Sequence, residues 1–90
     1  MDSSINIEVG QVVRSKAGRD KGRVFLVYEV LNEGHVTVVD GDLRRLDKPK
    51  LKKIKHLSLY NTVNSEFKDR IENQQGMNNA FVRKILEPFK

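Results

Sequence analysis

Arg23-Val24-Phe25-Leu26-Val27-Tyr28-Glu29-Val30-Leu31 is the stretch on which the fold turns. Strand side chains alternate, so Val24, Leu26, Tyr28 and Val30 fall on one face and Phe25, Val27, Glu29 and Leu31 on the other. Both faces are largely apolar, and each therefore needs a covering layer. Upstream, Gln11-Val12-Val13-Arg14-Ser15 lies between Gly10 and Gly18 and predicts a brief preceding strand. Downstream, Asn32-Glu33-Gly34 predicts a hairpin turn, because Asn and Gly tolerate positive φ, and His35 to Val39 the returning strand. Asp40-Gly41-Asp42 makes the next turn, with Leu43-Arg44-Arg45-Leu46 as a short fourth strand. Short strands joined by tight turns predict a small antiparallel barrel whose closure removes exposed edges.

After Leu46 the composition shifts. Asp47-Lys48-Pro49-Lys50-Leu51-Lys52-Lys53 starts as a basic loop with a strand-breaking proline, and Ile54 to Leu59 is a candidate fifth strand. Val63, Phe67 and Ile71 recur every four residues, which predicts a helix stopped by Gly76. Asn79 is placed to cap a second helix in which Phe81, Val82, Ile85 and Leu86 share a face, ended by Pro88. These one or two helices would cover the second face of the apolar strand. The expected organisation is a barrel with basic loops over residues 1–60 and a helical extension over 61–90, packed on the barrel or partly mobile.

Ninety residues suffice for one core but not for two. With no cysteine and only His35 and His56, neither a disulfide framework nor a structural zinc site is expected, and no cofactor is implied. The longest apolar run, Val24 to Tyr28, falls far short of the roughly 20 residues of a membrane span. Met1-Asp2-Ser3-Ser4 lacks the basic and apolar regions of a secretory signal, so a cytoplasmic location is expected. No Ser, His and acid arrangement presents itself, and neither an enzyme nor a small-molecule substrate is expected. Asp40 and Asp42, flanking one glycine, read as turn formers rather than cation ligands.

The net charge of +5 is unevenly spread. Arg14 to Arg23 carries +4 and Arg44 to His56 carries +6, which leaves −5 on the rest of the chain. Two localised positive segments point to a polyanionic partner. In the first, Gly18 and Gly22 let the backbone turn sharply and approach a phosphate, while Lys16, Arg19, Lys21 and Arg23 offer charge-assisted contacts. On charge alone, a solvated hairpin connection fits equally well. A P-loop does not fit, because three residues rather than four separate Gly18 from Gly22, and Arg23 and Val24 follow where Lys and Ser or Thr are needed.

Val12-Val13-Arg14-Ser15-Lys16-Ala17-Gly18-Arg19-Asp20-Lys21-Gly22, followed by the apolar strand, resembles the KOW motif of ribosomal proteins and transcription elongation factors, with Gly22 at the motif's characteristic glycine. The continuation through Asp40-Gly41-Asp42-Leu43-Arg44-Arg45-Leu46, Lys48-Pro49-Lys50 and Lys55-His56-Leu57 is similar to bacterial KOW-domain RNA-binding proteins related to large-subunit ribosomal KOW proteins. The resemblance covers about residues 8 to 57. It implies an SH3-like barrel whose loops contact ribosomal RNA and, in some relatives, ribosomal or polymerase proteins.

RNA, ribosomal or in an assembling ribosome, is thus the expected partner. Lys16, Arg19 and Lys21 are expected to matter most, beside Gly18, Gly22 and Arg23. Arg44, Arg45, Lys48, Lys50, Lys52, Lys53, Lys55 and His56 form a second basic surface. The alternative is a protein-interaction module recruited to RNA polymerase or a translation factor. Phe25, Tyr28 and Phe81 sit at periodic positions that favour the core over base stacking. His35 is expected to face solvent at a strand start.

Overall fold

Alternating apolar residues and glycine-marked turns build an antiparallel sheet in the computed structural model, which describes residues 7–90. Met1-Asp2-Ser3-Ser4, on which the secretory-signal reading rests, lies outside the described residues. The strands are β1 (Gln11–Ser15), β2 (Val24–Val30), β3 (His35–Val39), β4 (Lys50–Lys53) and β5 (Leu57–Val63), with a 3-10 turn, Ile54–His56, between the last two. Helices α1 (Ser65–Glu72) and α2 (Asn79–Leu86) follow, and a 3-10 turn, Glu87–Phe89, takes up Pro88. The sheet order is β4-β3-β2-β1-β5, antiparallel throughout.

The domain is mainly β and consistent with an SH3-like fold, but the sheet is open where closure was expected. β4 has four residues, all paired with β3, and runs straight into the 3-10 turn, so β4 and β5 stand at opposite edges.

β2 carries two cores. Val24 and Leu26 pack with Val12, Val39, Phe67, Val82 and Leu86, so the helices cover that face. Phe25 and Val27 pack with Val13, Val36, Val38, Ile54 and Leu57 on the other. Val24 to Val27 are 0–4% exposed, and burying each such side chain contributes about 1.5–3 kcal/mol. The simple alternation holds through Tyr28, which packs against the Val24 and Leu26 cluster, and fails beyond it, because a bulge shifts the register between Val27 and Glu29. Val30 consequently lies opposite Val36, on the Phe25 side, and is 40% exposed.

Other expectations are corrected by competition for backbone hydrogen bonds. Leu43 to Leu46 form no strand. The Arg44 N–H donates to Asp40 Oδ1 (2.8 Å) and that of Leu46 to Asn79 Oδ1 (2.8 Å), while the Arg44 carbonyl accepts from Asp40 and Gly41. The fourth strand instead forms within the expected basic loop, directly after Pro49. Asn32 and Gly34 need no positive φ, because the Asn32 side chain accepts the Gly34 N–H at 2.8 Å and closes the turn itself. Ile54 to His56 turn before β5 begins, and Val63 belongs to β5, paired with Gln11, rather than to a helix.

The residues capping α1 and α2 are Asn64 and Asn78, whose side chains accept from Phe67 and Phe81 N–H at 2.8 and 2.9 Å. Asn79 is the first residue of α2, and its side chain is the one holding Leu46. α1 ends before Gly76, at Asn73 and Gln74, the latter at φ +55°. Gly41, at φ +77°, lies so close to α2 that a Cβ there would stand 2.3 Å from the Asn79 carbonyl oxygen.

Candidate nucleic-acid interface

The loop from Lys16 to Arg23 is built from the inside out. Gly18 and Gly22 adopt φ of +78° and +88°. The Gly22 N–H donates to the Ser15 carbonyl and the Ser15 N–H to Arg23, closing the loop on β1. Arg14 braces it from behind. Its Nη1 donates to the Gly22 carbonyl (3.0 Å) and its Nε and Nη2 to the Tyr60 hydroxyl (2.9 and 2.7 Å). The Tyr60 ring meets Phe89 edge-on, so the C-terminal turn supports the same brace.

Asp20 is only 3% exposed and bonds to cations from the other basic segment. Arg44 Nη2 and Lys52 Nζ each lie 3.1 Å from its Oδ2, and Lys52 also sits 5.8 Å from the Phe25 ring centroid. Burial raises the carboxyl pKa, but the hydrogen bonds from Lys52 and then Arg44 outweigh it and leave the pKa below its ordinary 3.8. A parallel arrangement holds the buried Asp40, which accepts from Arg23 Nε at 2.5 Å, while Arg23 Nη2 reaches Asp42 at 3.0 Å. The hydrogen bond to Asp40 raises the Arg23 pKa further above its ordinary value. Asp40 Oδ1 also accepts the Asp42 and Arg44 N–H groups, so Asp40 forms the expected turn and pairs with a cation besides.

Arg23, Arg44 and Lys52 are therefore engaged within the fold. Lys16, Gly18, Arg19, Lys21 and Gly22 are exposed on the loop, as are Arg45, Lys48, Lys50, Lys53, Lys55 and His56 on the second segment. The Lys16 N–H donates to the His56 carbonyl at 2.8 Å, bringing the start of one segment against the end of the other. Gly18, Lys53 and His56 share a cleft; Arg44, Arg45, Lys48 and Lys50 line a second one with Asp47, and Lys55 borders a third with Glu33.

Three contributors escaped sequence reasoning. Asp20 was counted only as an offsetting charge. Leu51 was one apolar residue in a lysine run, and its half-exposed place on an edge strand appears only in the fold. His35 stands at the start of β3, as expected, and is partly exposed; its Nδ1 lies 3.1 Å from Asn32 Oδ1, and it borders the first cleft, which its place in the sequence did not reveal.

Phe25 is fully buried, Tyr28 packs edge-on against Phe67 and Phe81 lies under Arg70, so all three are occupied internally. Among the described residues, no cluster of three or more His, Cys, Asp or Glu is arranged for a metal, and no helix is long and apolar enough to cross a membrane. Chemically, the arrangement is one of fixed positive charge with accessible glycine backbone.

No family model matches the chain. A Bacillus subtilis (strain 168) protein named "Putative ribosome-binding protein YbzG" is 32% identical over 73 residues, covering 81% of this chain and 99% of that protein.

Proposed function

Because this chain belongs to the family of YbzG, we propose that it associates with the ribosome by binding ribosomal RNA through the exposed cations of its two basic segments. The observation that carries this reading is the convergence of those segments. The Lys16 N–H is bonded to the His56 carbonyl, and Asp20 to Arg44 and Lys52, so residues far apart in sequence are brought together. The KOW resemblance over residues 8 to 57 supports RNA over DNA, which charge alone does not. Lys16, Arg19, Lys21, Arg45, Lys48, Lys50, Lys53 and Lys55 neutralise phosphates, and Gly18 and Gly22 allow the backbone to approach them. Arg23, Arg44 and Lys52 shape the surface rather than contact RNA.

The decisive experiment is sedimentation of native lysate through a sucrose gradient with and without ribonuclease, joined to salt titration of binding to purified ribosomal RNA. The expected result is co-migration with a ribosomal particle and a log-log salt slope of roughly −0.7 to −0.9 per phosphate contact. A partner that survives ribonuclease, together with salt-insensitive RNA binding, would instead favour a protein-interaction module for RNA polymerase or a translation factor.

A further inference from the structure

A cleft of about 330 Å3 opens between the β1–β2 loop and the β4 edge. Ala17, Gly18 and Leu51 line it together with His35, Lys53 and His56. Leu51 is 54% exposed on a strand whose other residues are all lysines, so it contributes little to the core. Nothing lies within 4 Å of where a Gly18 Cβ would stand, which leaves room for a flat group to approach the backbone. No carboxylate lines this cleft, whereas Asp47, Asp40 and Glu33 line three of the others.

An apolar floor bordered by the Lys53 ammonium and two imidazoles suits a ligand whose flat, apolar body is carried on a negatively charged frame. A bare polyanion would leave Leu51 unused, and a neutral apolar molecule would leave Lys53 unused. We infer that this cleft takes a single unstacked nucleobase of a bound RNA strand, with its flanking phosphates on Lys53 and His56. The inference rests on the RNA reading above and names the part of the RNA that reaches this cleft. Unpaired bases are the parts of RNA whose faces are open to such contact.

The test compares the full chain and its Leu51→Ala variant for binding to fluorescent uridine and adenosine homopolymers and to inorganic polyphosphate, a polyanion without bases. Leu51→Ala should weaken homopolymer binding about five- to tenfold with an unchanged salt slope, and leave polyphosphate binding unchanged. Leu51→Ser supplies a second variant at the same apolar floor and should likewise weaken homopolymer binding while leaving polyphosphate binding unchanged. An unchanged melting temperature verifies that each variant is folded. Equal homopolymer binding by the wild type and both variants overturns the cleft assignment while leaving the RNA reading standing. Equal losses for homopolymer and polyphosphate overturn it too. Absence of any RNA binding by the wild type at low salt overturns both readings.

Discussion

The loop from Lys16 to Arg23 and the segment from Arg44 to His56 both concentrate positive charge, yet they use it differently. The loop is short, pinned by two positive-φ glycines and by Arg14, and it directs Lys16, Arg19 and Lys21 outward. The second segment contains a strand, and alternation along β4 separates Lys52, whose side chain is 11% exposed, from the exposed Leu51 and Lys53 on either side. Each segment also depends on the other, because the loop supplies Asp20 and the second segment supplies the cations that satisfy it. The difference teaches that a cation count overstates a binding surface wherever the fold contains buried carboxylates.

The strongest challenge to this division is Asp20→Ala. It should cost about 3 kcal/mol of stability in urea denaturation, since it strands two cations around an emptied site. A loss no larger than an exposed substitution causes would mean that Arg44 and Lys52 are as free as their neighbours. Next is replacement of Lys16, Arg19 and Lys21 together by alanine. RNA affinity should fall about a hundredfold and the salt slope become less negative by about 2 to 3, with the melting temperature almost unmoved.

Acid titration gives a smaller, directional effect. The folded pKa of Asp20 lies below its ordinary 3.8, so its contribution is fully present above that value and is lost as pH falls through the folded pKa. Asp20→Asn should therefore flatten the stability profile in this acid window, measured by denaturation at stepped pH. The smallest effect is expected for Arg23→Lys. Its side chain is 37% exposed, and a lysine cannot fork across Asp40 and Asp42, so the cost should stay under about 1 kcal/mol in the same denaturation assay.

Much of the fold was legible because local pattern and tertiary environment agree. β1, β2 and β3 follow β-branched runs between turn residues, and the Phe81, Val82, Ile85 and Leu86 stripe does become the buried face of α2. Where they disagree, specific hydrogen bonds decided. Leu43 to Leu46 have strand-like residues, but Asp40 and Asn79 take backbone donors that a ladder would need. Val63 fits a helical spacing with Phe67 but pairs with Gln11. Of the candidate interface, the two basic segments were visible as charge; the cleft containing Leu51 and His35 was not, because its lining comes from the β1–β2 loop, β3, β4 and the 3-10 turn.

The sequence by itself determined a mainly β domain with apolar residues on both faces of one strand, a helical end to cover one of them, and two basic segments. Those properties are local, set by side-chain periodicity and turn chemistry. Only the tertiary structure decided that the sheet stays open, that Asp20 joins the two segments, and that Arg23, Arg44 and Lys52 serve the fold while their neighbours face solvent. A cation's availability depends on which carboxylate folding brings within hydrogen-bond reach, and for Asp20 those partners come from beyond two further strands.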